Sequence, residues 1–212
     1  MLKIKICGIT NVPDAVVAAE EGADYLGLIF AKSPRRVTVK AAQDILWNLP
    51  KGIEAVGVFM DQPLEEVRQI LDATGIKIAQ LHGSETPRYC KEVGVPVIKT
   101  FDTFSESSFD RLKKYDSYAI LIDIPKGGAT RSQIDPQWAL LAKRHGRVII
   151  SGKLNARNVG ELVVRIRPYG VDCCSGTEKS PGVKDRSKVR DFIRAVKDAH
   201  KESTRIKVIK AR

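Results

Sequence analysis

A chain of 212 residues, 43% hydrophobic and 29% charged, is long enough for one sizeable core and too apolar to remain disordered. Its four cysteines (Cys7, Cys90, Cys173, Cys174) and three histidines exclude a disulfide scaffold and fit no structural zinc spacing, so reduced thiols and no metal are expected. The 36 Lys and Arg outnumber the 25 Asp and Glu but are spread along the chain, densest from residue 197 to 212; with no basic stripe or nucleic-acid module, nucleic acid is not an expected partner, which leaves a small anionic substrate or a basic surface with no specific role.

The chain opens on Leu2-Lys3-Ile4-Lys5-Ile6 without a hydrophobic leader, and no run approaches roughly 18 apolar residues, so a cytoplasmic protein with no membrane partner is expected. Strand-like segments fall at Lys3–Cys7, Tyr25–Phe30, Ala55–Phe59, Lys77–Leu81, Val95–Thr100, Tyr118–Asp123, Arg147–Ser151 and Gly170–Cys173. Helical spacing fills the gaps at Pro13–Glu21, Val39–Leu46, Leu64–Ala73, Glu85–Glu92, Phe109–Lys114, Pro136–Arg144, Asn158–Ile166 and Ser187–His200. Thr10 and Asn11, Thr38, Ser84 and Asp135 stand where N-caps belong, and Gly22, Gly75, Gly94 and Gly146 where helices end. Strand–helix units recurring about every 25 residues imply parallel strands joined by helical crossovers, and eight of them close a barrel. No G-x-G-x-x-G follows the first strand, which argues against an open dinucleotide-binding sheet. The expected fold is a single (β/α)8 TIM barrel over residues 1–212, with a basic extension at about 202–212 lacking a clear apolar face.

In such a barrel the chemistry gathers at the carboxyl ends of the strands. Alternation along strand 1 puts Ile4 and Ile6 against the helices and turns Lys5 and Cys7 toward the axis. Cys7 reads either as an inert core thiol or as a base whose thiolate Lys5 favours. Asp123 ends an otherwise apolar strand, and reads either as a loop-bracing carboxylate or as an acid able to give up a proton near neutral pH. Base and acid on opposite sides of the mouth would form an isomerase arrangement. Gln80 and His82 close strand 4, Lys99 and Asp102 bracket the end of strand 5, Asp172 closes strand 8, and Arg35 and Arg36 occupy the second βα loop. Lys5, Arg35, Gln80, His82 and Asp172 are the candidate substrate contacts. Small-residue turns follow the last three strands, at Lys126–Thr130, Ser151–Asn155 and Cys174–Thr177. Backbone N–H groups in such turns cradle phosphate, and Lys153 can add charge.

Lys5-Ile6-Cys7-Gly8-Ile9-Thr10 resembles the first-strand signature of the phosphoribosylanthranilate isomerases of tryptophan biosynthesis. Further matches are Gly27-Leu28-Ile29-Phe30, Ser33-Pro34-Arg35, Val56–Phe59, Gln80-Leu81-His82-Gly83, Ile122-Asp123, Gly127-Gly128, Tyr169–Asp172, Ser175–Glu178 and Pro181–Asp185. The resemblance runs from residue 3 to about residue 197. It implies a cofactor-free Amadori rearrangement of N-(5-phosphoribosyl)anthranilate to 1-(2-carboxyphenylamino)-1-deoxyribulose 5-phosphate. In that scheme Asp123 is the general acid, Cys7 the general base, and Arg35 holds the anthranilate carboxylate. Gly128, Gly152, Ser175 and Gly176 supply the phosphate site. A monomer and a homodimer are both compatible with the sequence.

Two positions depart from the family pattern. Ala129-Thr130 follow Gly127-Gly128 where Thr-Gly is usual, and Ser151-Gly152-Lys153-Leu154 replaces Ala-Gly-Gly-Leu. Three other readings are available. Another sugar-phosphate isomerase or epimerase would keep the phosphate cradle but need no Arg35. An indole-glycerol phosphate synthase would show a different lysine and glutamate set. A phosphate-ligand binding module would need no proton donor or acceptor at the ends of strands 1 and 6.

Overall fold

Eight short strands close into a barrel in the order in which they occur along the chain, as a computed structural model of the protein gives them. The structure describes residues 2–101, 110–123 and 136–210, with side chains up to residue 205. The strands are β1 (Lys3–Cys7), β2 (Tyr25–Ile29), β3 (Glu54–Phe59), β4 (Ile78–Leu81), β5 (Val97–Phe101), β6 (Ala119–Ile122), β7 (Val148–Ile150) and β8 (Gly170–Cys173). Each pairs in parallel with the next, and β8 returns to β1. The helices are α1 (Val12–Glu21), α2 (Val39–Trp47), α3 (Leu64–Thr74), α4 (Pro87–Glu92), α5 (Pro136–Ala142), α6 (Val159–Ile166) and α7 (Arg186–Lys210). Residues 110–112 are also helical, between β5 and β6. A small hairpin, β9 (Glu178–Ser180) and β10 (Val183–Lys184), follows β8.

The period-2 pattern sorts side chains into two shells. Ile4, Ile6, Leu26, Leu28, Ile120, Ile122, Val148, Ile150 and Val171 face outward into the layer shared with the helices. Tyr25, Val56, Ile78, Ile98, Ala119, Leu121 and Ile149 fill the barrel interior. Each fully buried Leu or Ile contributes about 1.5–3 kcal/mol, so a one-residue slip of any strand would exchange the shells and is strongly disfavoured. The amino end of the barrel is plugged by Tyr25, Tyr118 and Tyr169, whose hydroxyls lie 3.2, 3.4 and 2.8 Å apart. Arg147 stacks over Tyr118 and Tyr169 at 4.7 and 5.3 Å. Polar groups that can reach substrate are thereby confined to the other end.

Asn11 Oδ1 accepts from Asp14 N at 2.9 Å and Thr38 Oγ1 from Ala41 N at 3.1 Å, capping α1 and α2 as the sequence predicts. Ser84 does not cap α4. Pro87, whose fixed φ suits a first helical residue, starts the helix later, and Thr86 Oγ1 accepts from Tyr89 N at 3.2 Å. Ser84 N instead donates to Asp61 Oδ1 at 2.6 Å. The expected cap Asp135 lies outside the described residues, as do Asp102 and Lys126–Thr130. The basic C-terminal segment continues α7 to Lys210 rather than leaving it. Upstream, α7 buries Val189, Phe192, Ile193, Val196 and Ala199 on one stripe. Among the described residues, no helix is long and apolar enough to cross a membrane.

Candidate active site

Because Ile4 and Ile6 occupy the outer shell, Lys5 and Cys7 point into the barrel. The β1–β8 register sets Lys5 opposite Asp172, and Lys5 Nζ donates to Asp172 Oδ1 at 3.0 Å, with both side chains no more than 5% exposed. Lys3 shares their face but sits at the amino end, paired with Asp24 at 2.8 Å. Gly27 of β2 makes room for this group. A Cβ there would lie 2.6 Å from Cys7 Sγ and 2.9 Å from Lys5 Nζ, so no larger residue fits without moving them.

These buried charges shape one another. The neighbouring Cys174 thiol is the strongest influence holding the Cys7 thiol well below its usual range; burial opposes it, while the Lys5 and Lys184 ammoniums reinforce it. Burial works against the Lys5 charge, but the attraction of Asp172 and Cys7 outweighs it and raises the Lys5 pKa. Burial also pushes the Asp172 carboxyl up to about 7 against the pull of Lys5, and the charge on Cys7 adds to the rise. One ammonium thus serves two acids, Asp172 and Cys7.

A second group gathers from β4 and β6. Gln80, 1% exposed, lies with its Nε2 3.2 Å from His82 Nδ1, and His82 Nε2 is 3.3 Å from Asp123 Oδ2. With Gln80 donating to Nδ1, the imidazole carries its proton on Nε2, facing Asp123. Gln80 Oε1 is buried with no hydrogen-bond partner among the described residues. The β4 end is held from outside the lumen. Lys99 points outward, buried against Glu85 at 3.1 Å, and donates to the carbonyls of Leu81 and Gly83 at 3.2 and 2.7 Å. Glu85 in turn accepts from the backbone N–H of Gly83 and Asp61. Lys99 therefore braces the loop after His82 rather than facing the site. β1 and β6 stand apart in the ring with β7 and β8 between them on the short way round, so Cys7 and Asp123 reach the mouth from different sides.

Arg35 extends from the second βα loop to the ninth strand, where Nε and Nη2 grip the Glu178 carboxylate in a two-pronged pair, each at 2.7 Å. This engages two of the five guanidinium N–H groups. Glu178 also accepts from Gly182 N at 3.2 Å and from buried Lys184 at 3.3 Å. Glu178 and Lys184 fall inside the family-like motifs Ser175–Glu178 and Pro181–Asp185, which by themselves assign neither a role. Their signal is a charged residue on each arm of a tight Pro181-Gly182 turn. Removing Glu178 would strand the Lys184 charge in the interior. Glu178→Ala should lower the unfolding free energy by about 3–5 kcal/mol, read as a fall in urea midpoint at unchanged slope.

At the ends of β7 and β8 the two turns lie against each other. Gly176 packs on the Leu154 carbonyl with no space for a Cβ, and Cys173 Sγ donates to the same oxygen at 3.1 Å. Ser175–Thr177 form a short 3-10 turn. Gly152 has φ 98° and exposed Lys153 has φ 50°. The left-handed backbone at 153 explains why glycine is usual there, since a side chain costs about 1–2 kcal/mol in that region. Gly128, the remaining expected phosphate contact, lies outside the described residues. Among those residues no group of three or more His, Cys, Asp or Glu could hold a metal ion.

The model of the N-(5'-phosphoribosyl)anthranilate isomerase family matches residues 4–195. The chain belongs to this family. It is an enzyme of tryptophan biosynthesis that isomerises N-(5'-phosphoribosyl)anthranilate by an Amadori rearrangement on a TIM barrel. This isomerase is 42% identical over 209 residues to the N-(5'-phosphoribosyl)anthranilate isomerase of Pelobacter propionicus, covering 97% of this chain and 100% of that one. The crystal structure of the phosphoribosyl anthranilate isomerase from Thermotoga maritima superposes with a TM-score of 0.87 at 33% identity, covering 93% of this isomerase and 100% of that chain. A phosphoribosyl anthranilate isomerase crystallised with reduced 1-(o-carboxyphenylamino)-1-deoxyribulose 5-phosphate superposes with a TM-score of 0.85 at 32% identity, covering 93% and 100%.

Proposed function

We propose that Asp123 and Cys7 carry the two proton transfers of the isomerisation and that the product is 1-(2-carboxyphenylamino)-1-deoxyribulose 5-phosphate. Asp123 protonates the furanose ring oxygen, and the ring opens to a protonated imine. The positive nitrogen acidifies the neighbouring sugar C2–H. The Cys7 thiolate removes that proton, giving an enolamine that tautomerises to the ketone. His82 steadies the carboxylate left on Asp123 after its proton has gone. The observation that carries this reading is the packing of Cys7 Sγ and Lys5 Nζ side by side against Gly27 at the end of β1, which supports a buried thiolate.

The surrounding groups suit the substrate's charges. Arg35 can offer its remaining N–H groups to the anthranilate carboxylate while Glu178 holds its other edge. Gln80 Oε1, a buried acceptor lacking a partner among the described residues, suits a sugar hydroxyl. Lys5 and Asp172 set the charge beneath the reacting carbons. Gly128, Gly152, Lys153, Ser175 and Gly176 take the phosphate. The test is turnover of freshly generated N-(5-phosphoribosyl)anthranilate by wild type, Cys7→Ala and Asp123→Asn, each with a native circular dichroism spectrum. Both variants should fail; one that keeps a near-normal kcat removes its residue from the scheme.

A further inference from the structure

The loop after β8 sets a second sulfur against the reactive one. Ile6 of β1 lies opposite Cys173 of β8, so continuing the register by one residue brings Cys174 opposite Cys7. Adjacent strands are about 4.8 Å apart, within the roughly 4.4–6.8 Å Cα separation that a disulfide spans. Cys7 shares the lumen face of β1 with Lys5, and Cys174 is the first residue beyond β8. Lys184 Nζ donates to the carbonyl oxygens of Cys7 and Cys174 at 2.6 and 3.0 Å, tying the two backbones together. The Cys174 sulfur sits against Gly8, the residue after Cys7, where a Cβ would lie 2.8 Å from it, and its thiol donates to Glu178 Oε1 at 3.8 Å. Cys174 is only partly buried, and a mouth that admits a sugar phosphate admits a hydroperoxide.

We propose that Cys7 and Cys174 are a modification site for hydroperoxides, forming a reversible disulfide that switches this isomerase off. The Cys7 thiolate attacks one peroxide oxygen, the O–O bond breaks, and Cys7 becomes a sulfenic acid as hydroxide leaves. The Cys174 sulfur then attacks Cys7 sulfur, its proton joins the departing hydroxyl, and water leaves. Two electrons pass from the two sulfurs to the peroxide, and no further reductant or oxidant is needed. The other thiols are spared. Burial pushes Cys90 up to about 11 and Cys173 up to about 12, so both stay protonated at neutral pH. Cys174 thereby protects Cys7 from further oxidation to the sulfinic acid, which a dithiol cannot reverse.

The loss of activity rests on Cys7 acting as the base, whereas the bond itself does not, and the experiment reads the two separately. Reduced full-length protein is treated with hydrogen peroxide, alkylated, digested without reduction and analysed by mass spectrometry, with turnover followed in parallel. The expected result is one cross-linked peptide pair joining Cys7 to Cys174, two hydrogens lighter than the free thiols. Turnover falls at least about 100-fold and returns with dithiothreitol. In Cys174→Ser, compared with its own reduced form, the same treatment gives no cross-link, Cys7 gains two oxygens, and dithiothreitol restores nothing. Cys7 recovered from oxidised wild type as an alkylated thiol or a sulfinic acid would overturn the site. A Cys7–Cys174 cross-link with full turnover would overturn the switch, and with it the base role of Cys7.

Discussion

Cys7→Ala should lower kcat by about 100- to 10,000-fold, the range a single positioned proton acceptor contributes. The side chain is buried at the end of β1, its sulfur beside the ammonium of Lys5 against Gly27. Alanine fills most of the same space and leaves Ile4 and Ile6 in place, so the barrel should survive with little change in unfolding midpoint. Cys7→Ser sharpens the test. The hydroxyl keeps a hydrogen-bonding group at the same position but does not ionise at neutral pH, so it should fail almost as completely. A serine variant with near-normal kcat would mean that the sulfur serves packing alone.

Asp123→Asn should produce a loss of similar size, about 100-fold or more in kcat, with a smaller change in KM. Asparagine preserves shape and can still accept from His82 Nε2 through its amide oxygen, the contact that Asp123 makes at 3.3 Å. What it lacks is a proton to give to the ring oxygen. A large fall in kcat with the fold intact therefore separates proton donation from bracing. If Asp123 serves only to hold the loop after β6, asparagine should retain most of the activity.

Most of the barrel is legible in the sequence because strand burial is periodic and the periods are unambiguous. β1 and β8 match the expected bounds residue for residue, and the placement of Lys5 and Cys7 in the lumen follows from Ile4 and Ile6 alone. Strand-end position also finds Gln80, His82, Asp123 and Asp172, all of which meet at the mouth or just beneath it. Partnerships across the chain are harder to read. Arg35 and Glu178 are 143 residues apart, and only closure of the barrel brings them together. Lys99 sits at a strand end as functional residues do, yet faces outward, because Val97 and Phe101 belong to the outer shell and it shares their phase. Cys174 is read only as the start of the turn after β8, because it lies one residue beyond the strand, where alternation is no longer a guide. Ser84 and Thr86 are both plausible caps by type, and only the proline after Thr86 decides between them.

The most direct test of the two-residue scheme is a kinetic isotope comparison with substrate deuterated at sugar C2. Cys7 is assigned to removal of that hydrogen and Asp123 to ring opening before it, so crippling each residue should make a different step rate-limiting. The residual turnover of Cys7→Ser should show a primary deuterium isotope effect, and that of Asp123→Asn should show none. The reverse pattern, with an effect in Asp123→Asn and none in Cys7→Ser, would contradict the assignment of base and acid.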